Sequence, residues 1–239
     1  MASDVVDLRD FYRSALGQVA RRMIRRAIQR VWPNLNGMRL LGIGYATPFL
    51  SALSSETERT LAVMPASLGV LRWPAEGRNL VSLAEESELP FADYSLDRVV
   101  LVHALETSEE TGALLKEIWR VLAGGGRVLI VAPNRRGIWA RLDRTPFGSG
   151  RPYTMSQLSQ LLRDEQFTPV GTDAALFIPP TTSRMMLRAA PAWERIGKRW
   201  FPTFAGVLLV EATKQIYAKP AATRAPRRRL VYTPAPHRL

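Results

Sequence analysis

The stretch Arg39–Leu50 constrains the fold more than any other part of this 239-residue chain. A short apolar run leads into small residues at Gly42, Gly44 and Ala46, and Pro48 follows soon after them. Proline is well placed at the start of a helix, where its missing N–H has no partner to lose. A strand, a tight turn and a helix start in this order are typical of the first unit of a Rossmann-like sheet. Residues without bulk at such a turn let the backbone approach a ligand closely.

The rest of the chain alternates apolar runs with helical patterns. Further strands are predicted at 60–64, 79–83, 97–103, 127–132, 174–178 and 206–218. Amphipathic helices are predicted at 113–122, before a run of three glycines, and at 154–165. Strands that alternate with helices indicate an α/β fold with a doubly wound, mostly parallel sheet, here of seven strands. We therefore assign residues 36–218 to one Rossmann-like domain.

The N-terminal segment, residues 1–35, has a strongly amphipathic pattern. Apolar residues recur every fourth position in two neighbouring rows, which predicts one long helix over residues 5–32. The rows are Phe11, Ala15, Val19, Met23, Ala27 and Val31, and Tyr12, Leu16, Ala20, Ile24, Ile28 and Trp32. Two interpretations stay open: the helix packs on the sheet domain as a cap, or it lies on a membrane interface.

A second basic and apolar segment separates the last two predicted strands. Residues 179–205 combine an apolar stripe with arginines, and Pro191 interrupts the pattern, which predicts two short helices or a kink within a helical insertion. Beyond the last strand, residues 219–239 are rich in proline and arginine and have no core pattern. This composition predicts a flexible basic tail.

Charge and composition narrow the functional classes. The formal charge of +12 is concentrated near both ends of the chain, which is typical of contact with an anionic membrane or nucleic acid but also aids solubility. Without cysteine the chain has no disulfide, thiol nucleophile or zinc–thiolate site, and two histidines are too few for a histidine-rich metal site. No apolar run has the length of a transmembrane helix. We therefore expect a cytoplasmic protein, with peripheral membrane contact as the alternative.

Two later segments carry a family resemblance. Leu89–Asp97 reads Leu-Pro-Phe-x-x-x-x-x-Asp, and Glu117–Gly126 reads Glu-x-x-Arg-Val-Leu-x-Gly-Gly-Gly. Together with the first turn, they make residues 36–170 resemble the class I S-adenosyl-L-methionine (SAM)-dependent methyltransferases, in particular the type 11-like members. The first motif of that family reads acid-x-Gly-x-Gly-x-Gly. Here Gly42 stands where the acid belongs, and Pro48 stands where the last glycine belongs.

The resemblance implies SAM as the cofactor. The positions that match cofactor-binding residues are Gly42, Gly44, Tyr45, Ala46, Met64, Glu85 and His103. Gly44 to Ala46 match the loop that lies against the methionine portion of SAM. Met64 stands at the end of the second strand, where the family usually has an acid for the ribose hydroxyls. Glu85 matches the acid near the adenine amino group, and its alternative is a place in a solvated acidic loop.

His103 ends the fourth predicted strand, at the edge of the sheet where doubly wound folds bind ligands. Histidine is suited to general-base catalysis near neutral pH, which makes His103 the candidate catalytic residue. Methyl transfer depends mainly on positioning, however. A histidine that contacts the cofactor without moving a proton is therefore the alternative.

The irregular segment 133–153 leaves the fifth strand on the same edge and is the candidate substrate-binding loop. Its arginines suit an acidic acceptor, because guanidinium groups match carboxylates and phosphates. They are Arg135, Arg136, Arg141, Arg144 and Arg151. Trp139 and Tyr153 offer the walls of an apolar pocket. The alternative is a covering loop whose arginines cap helix ends or lie in water.

Three functions stay open on these grounds. The first is methyl transfer from SAM to a small or lipid-like acidic acceptor. The second is a catalytically inactive methyltransferase fold that acts as a binding or regulatory partner, at an anionic membrane or on nucleic acid. The third, nucleic-acid binding or modification, is less favoured, because the Asn/Asp-Pro-Pro-aromatic signature of amino-group methylation does not follow the fourth strand, where the chain reads His103–Glu106.

Overall fold

The computed structural model describes residues 4–142 and 144–215, which are organised around one seven-stranded sheet. The strands are β1 Arg39–Gly44, β2 Arg59–Pro65, β3 Val81–Ala84, β4 Leu96–Val102, β5 Leu122–Pro133, β6 Phe167–Ala175 and β7 Val207–Lys214. The helices are α1 Val5–Arg13, α2 Ala15–Val31, α3 Thr47–Leu50, α4 Thr111–Val121, α5 Met155–Asp164, α6 Arg184–Arg188 and α7 Ala190–Trp200. The predicted tail, 219–239, lies outside the described residues.

The strand order is β3-β2-β1-β4-β5-β7-β6. Strands β1 to β5 pair in parallel, and β7 is antiparallel to both of its neighbours. The prediction of a doubly wound, mostly parallel sheet of seven strands is confirmed. The chain order reverses between β1 and β4, and ligands bind at the carboxyl ends of the strands beside such a switch point.

The prediction of one helix over residues 5–32 is wrong, because the chain turns at Ser14. Ser14 has an extended backbone, and its side chain accepts a hydrogen bond from the Gly17 amide, which caps the start of α2. A Cβ on Gly17 would lie 1.9 Å from the Phe11 carbonyl oxygen, so only glycine permits the close turn. The apolar rows continue through this break in the sequence, and periodicity therefore does not reveal it.

The two helices have separate positions on the sheet. Helix α2 packs beside β6 and β7, where Ile24, Ala27 and Ile28 are fully buried. At its end Trp32 Nε1 donates a hydrogen bond to Glu211 Oε1 on β7, at 2.9 Å. Helix α1 instead begins beside the loop after β2, where the Val5 amide donates to the Leu68 carbonyl at 2.9 Å. This places α1 over the carboxyl ends of the central strands.

The C-terminal third differs in detail from the predicted elements. Strand β6 begins at Phe167, before the predicted start at residue 174, because it is an edge strand whose side chains are only partly buried and lack a continuous apolar run. The insertion before β7 contains two helices, and Pro191 lies in the first turn of α7, where its missing N–H is tolerated. No helix in the described ranges is long and apolar enough to cross a bilayer.

The two sequence segments with the family resemblance hold each other in place. Arg120 on α4 donates hydrogen bonds to the carbonyls of Phe91, at 2.8 Å, and Leu89, at 3.0 Å. Arg120 also pairs with Glu117, and Glu117 Oε2 accepts a hydrogen bond from the Leu89 amide at 2.9 Å. The segment that leads into β4 is thus fixed to the helix that leads into β5.

Replacing Glu117 with glutamine is expected to lower the free energy of unfolding at about pH 7 by ~1–3 kcal/mol, because charge-assisted hydrogen bonds contribute about that much. Arg120, together with the Leu89 amide, lowers the pKa of Glu117 below its usual 4.5. The ionised carboxylate therefore stabilises the fold fully above that value, and this stabilisation is lost as the pH falls through the lowered pKa. The difference between the native and E117Q chains should consequently shrink in urea unfolding at about pH 3. Glu88→Gln, an exposed change in the same region, is the control. If E117Q lowered the free energy of unfolding equally at both pH values, the role of the ionised carboxylate would be contradicted.

Candidate functional site

The loop that leaves β1 lies at the switch point, but its small residues make room for the protein itself. Gly44 has φ +79°, and a Cβ there would lie 2.4 Å from the Val102 carbonyl oxygen of β4. A Cβ on Gly42 would already lie 2.7 Å from Leu50 Cδ1. The Tyr45 amide completes the contact by donating to the Val102 carbonyl at 2.8 Å. The glycines of this turn therefore serve packing between β1, α3 and β4.

An aromatic cluster covers the same loop. Tyr12 of α1 stacks on Tyr45, with ring centroids 5.7 Å apart and planes 18° apart. Its ring also makes an edge contact with Phe49, at a centroid distance of 5.7 Å. Tyr12 and Tyr45 are buried, with only 4% and 5% of their surfaces exposed. Helix α1 therefore closes the hollow into which the loop would otherwise open.

A buried polar network continues from Tyr12 to the end of β4. Tyr12 Oη lies 2.8 Å from His103 Nε2, and His103 Nδ1 lies 3.1 Å from Glu106 Oε1. When Glu106 is ionised its carboxylate only accepts, so Nδ1 donates to it and Nε2 accepts the Tyr12 hydroxyl proton. Burial raises the pKa of Tyr12 well above 10, and the nearby Glu106 and Tyr45 raise it further. Tyr12 thus stays a neutral hydrogen-bond donor.

Two features distinguish this network from ordinary core packing. His103 has φ +51°, a left-handed conformation that costs about 1–2 kcal/mol for a residue with a side chain. Glu106 Oε2 is buried and has no hydrogen-bond partner. Strain and an unpaired buried oxygen concentrate at functional sites. With Tyr12 withdrawn, His103 Nε2 would offer a free acceptor at the carboxyl end of β4, where a base or a ligand contact is useful.

The predicted nucleoside contacts lie on the far side of the loop. Met64 is fully buried, and its sulfur lies 3.4 Å from the Leu71 amide that donates to it. Beyond it a hollow of about 280 Å³ opens between the ends of β2 and β3, and Ser67, Glu85 and Glu86 are among its lining residues. Burial raises the pKa of Glu86, although the hydrogen bond from Ser108 opposes that shift. The hollow is open and acidic.

The segment 133–153 brings its predicted residues to different places. Trp139 is 1% exposed and lies in the core, where its Nε1 donates to the Ile178 carbonyl at 2.8 Å. Tyr153 Oη donates to the Leu105 carbonyl at 3.3 Å, and the Arg151 amide donates to the backbone carbonyl of Glu106 at 2.8 Å. Both residues thus support the loop that carries the buried network.

Arg135 and Arg136 lie further from that network. Arg135 Nε donates to the Pro152 carbonyl at 3.2 Å, which ties the segment to itself. Arg136 lines a groove of about 540 Å³ together with Lys198 of α7 and residues of β6. The structure therefore brings Arg151 and Tyr153 to the loop beside His103, and Arg135 is bonded to the same stretch. Trp139 instead belongs to the core, and Arg136 to a separate groove.

A larger cavity of about 760 Å³ lies between α1 and this segment. It is lined by Asp7, Phe11, Ser14, Ala15, Leu16, Arg144, Thr145, Pro146, Pro180, Thr181, Thr182 and Leu187. The Phe11 ring contacts Tyr12 at 5.1 Å and Phe147 at 6.0 Å, and Phe147 lies 5.0 Å from His103. Three aromatic rings therefore separate the cavity from the buried histidine.

Comparison with known proteins identifies the central part of the chain. Residues 40–130 match the model of the methyltransferase domain, which covers β1 through most of β5. Residues 40–130 are thus a methyltransferase domain, and the family resemblance is to the class I SAM-dependent methyltransferases. The methyltransferase shares its fold with a SAM-dependent, possible histamine N-methyltransferase from Thermotoga maritima, with a TM-score of 0.63 at 17% identity; the match covers 88% of this chain and 96% of that one.

Two relatives are similar in sequence over part of their length. An uncharacterised protein of Mycobacterium tuberculosis (strain H37Rv) is 30% identical over 118 residues, which are 46% of this chain and 41% of that protein. The demethylmenaquinone methyltransferase of Thermus thermophilus is 28% identical over 131 residues, covering 53% of this chain and 59% of the enzyme. The chain thus spans about half the length of these relatives.

The methyltransferase family uses SAM, but this conformation does not fit the whole molecule. The acidic hollow beside Glu85 suits the hydroxyl and amino groups of a nucleoside, because carboxylates accept hydrogen bonds from both. The resemblance implies that the methionine half lies against the loop after β1, and there Tyr12 and Tyr45 fill the space. Met64 also provides no carboxylate for the ribose. On that placement SAM would bind only after α1 moves. Sequence reasoning missed Tyr12 because it stands 91 residues from His103 in an apolar row.

Proposed function

We propose that this methyltransferase transfers the methyl group of SAM to the carboxylate of a small or lipid-like acid, and that α1 closes the site between turnovers. The observation that carries the proposal is the position of the buried Tyr12–His103–Glu106 network. An open acidic hollow at Glu85 and Glu86 lies on one side of it, and the larger cavity beside Arg144 lies on the other. Movement of one helix would join the two.

The cavity favours an acidic, mainly apolar acceptor. Its volume of about 760 Å³ is in the range of small-molecule sites. Leu16, Pro146 and Leu187 supply apolar wall, and Arg144 forms no ion pair with any residue that the structure describes. Asp7 also lines the cavity, but it belongs to the first turn of α1, where the helix dipole stabilises its charge. Arg144 is therefore the group left to hold an anion.

A carboxylate acceptor also agrees with the position of His103, which is hydrogen-bonded between Tyr12 and Glu106 and is not needed as a base. Carboxylates are ionised near neutral pH, so their methylation to an ester requires no general base. In this proposal His103 positions Glu106 and contacts the ligand, while Arg144 orients the acceptor.

Methyl transfer to dodecanoate but not to dodecylamine is the expected result with the full chain and labelled SAM. The two probes share an alkyl chain and differ in the sign of their charge. Arg144→Gln should lower kcat/KM for dodecanoate by about tenfold or more, because a charge-assisted hydrogen bond contributes ~1.5–3 kcal/mol. Arg141→Gln, in the same segment but outside the cavity lining, should have little effect. Transfer to the amine alone, or equal effects of both variants, would contradict the acceptor class.

A second candidate, a cofactor-free binding protein with the same fold, is favoured by specific observations. Met64 stands where the resemblance implies a ribose-binding acid, Gly42 stands where it implies the acid of the first motif, and Tyr12 covers the loop that it implies for the methionine half. Absence of SAM binding in both the native chain and a chain without the Tyr12 ring would favour this candidate.

A further inference from the structure

The insertion between β6 and β7 exposes an unusual amount of apolar surface. Six of the twelve large apolar side chains that are exposed in the described residues lie within residues 185–204. They are Met185, Trp193, Ile196, Trp200, Phe201 and Phe204. Scattered exposed apolar residues are normal, but a concentration of this kind marks an interaction site.

Helix α7 presents three of these side chains in one stripe. Trp193, Ile196 and Trp200 are three and four positions apart, so they lie on the same side of the helix, and they are 38%, 50% and 68% exposed. Next to this stripe the helix is held inward at Gly197, where a Cβ would lie 2.3 Å from Phe177 Cβ. This close contact fixes the helix against the core, and the stripe beside it stays exposed to solvent.

Positive charge surrounds the stripe. Arg195 and Arg199 of α7 are exposed, and across a groove of about 440 Å³ lie Arg26 and Arg30 of α2. Arg26, Arg195 and Arg199 form no ion pair within the described part of the chain.

The acidic residues in this region do not offset that charge. Glu194 is turned inward, where its carboxylate accepts the Phe177 amide at 3.0 Å. Asp173 is occupied by Arg30, at 2.8 Å, and by Lys198, at 2.6 Å. The outer surface of α7 is therefore apolar and cationic together.

We infer that the α7 surface, meaning the stripe with its surrounding arginines, docks the protein on an anionic phospholipid bilayer. Tryptophan and isoleucine on one side of a helix bury readily at the headgroup boundary, and neighbouring arginines attract lipid phosphates. A nucleic acid would bind the arginines but would make no use of the exposed aliphatic side chains of Ile196 and Met185. A second copy would bring two surfaces of like charge together, in a chain whose formal charge is already +12.

Flotation of the full chain with vesicles tests this inference. We expect binding to vesicles of phosphatidylcholine with about a third phosphatidylglycerol and little binding to phosphatidylcholine alone, because the surface attracts anionic lipid. Ile196→Glu should weaken the partition coefficient at least about tenfold, since it places an acid in the inserted stripe. The matched control is Leu83→Glu on β3, at the opposite edge of the sheet, because Leu83 is 49% exposed and Ile196 is 50% exposed.

A second pair of variants isolates the charge. Arg195→Gln with Arg199→Gln should weaken binding about tenfold, whereas Arg72→Gln with Arg78→Gln removes the same charge from the β2–β3 connection and should have a smaller effect. Equal behaviour of the two pairs, or of Ile196→Glu and Leu83→Glu, would overturn the inference. Salt-sensitive RNA binding without vesicle binding would overturn it in favour of nucleic acid. A concentration-dependent dimer that Ile196→Glu dissociates would overturn it in favour of self-association.

Discussion

Replacing Tyr12 with alanine is expected to strengthen S-adenosylhomocysteine binding at least about tenfold, measured by calorimetric titration of the full chain. In the closed conformation Tyr12 contributes a ring stacked on Tyr45 and a hydrogen bond to His103. Removing both destabilises the closed state, and the apparent affinity rises with the fraction of molecules whose site is open. The same ligand measures the cofactor site alone, independently of the acceptor.

Two further variants separate the ring from the hydroxyl. Tyr12→Phe keeps the ring and loses only the bond to His103, so its effect should be smaller than that of Tyr12→Ala, about one hydrogen bond or ~0.5–1.5 kcal/mol. In the Tyr12→Ala chain, a further Glu86→Gln substitution should weaken S-adenosylhomocysteine binding again, because Glu86 lines the acidic hollow proposed for the nucleoside. Glu88→Gln, outside that hollow, should leave it unchanged. If none of these chains gave a heat of binding up to about millimolar ligand, SAM binding would be contradicted and the cofactor-free protein would be favoured.

Replacing Gly44 with alanine is expected to destabilise the protein by ~3 kcal/mol or more in urea unfolding, the largest effect on stability among these predictions. The substitution combines the unfavourable backbone at φ +79° with a methyl group 2.4 Å from the Val102 carbonyl oxygen. Neither the backbone of β4 nor that of β1 can shift without disturbing the register between them.

Gly77 provides the matched control for this substitution. It also has a positive φ, of +83°, but nothing lies within 4 Å of the Cβ position. Gly77→Ala should therefore lose only the conformational part, about 1–2 kcal/mol. If Gly44→Ala and Gly77→Ala lowered the free energy of unfolding equally, the close approach of β1 to β4 would not contribute to stability. The glycine would then be free to serve a ligand instead.

The family-like segments show how far sequence patterns can reach. Leu89–Asp97 and Glu117–Gly126 have specific spacing because Arg120 and Glu117 must meet the Leu89 backbone. These bonds involve residues within 31 positions of one another. The strands were also predictable, since buried parallel strands need continuous apolar runs.

Several parts of the candidate site were not predictable in this way. An apolar row assigned Tyr12 to packing, and nothing local indicates that its hydroxyl meets His103. Trp139 was expected in a substrate pocket, but its indole N–H finds the Ile178 carbonyl in the core. Large aromatic side chains suit either place, and the path of the chain decides between them.

The sequence by itself determined the order of the strands, the tight turn after β1 and the position of the two family-like segments along the chain. These follow from apolar periodicity, glycine geometry and contacts between residues near in sequence. Only the tertiary structure decided what lies over that turn, because the stacking of Tyr12 on Tyr45 depends on the break at Ser14 and on where α1 then packs. The same holds for the α7 surface, whose stripe is exposed because of the way in which the helix packs on the core, with Gly197 against Phe177.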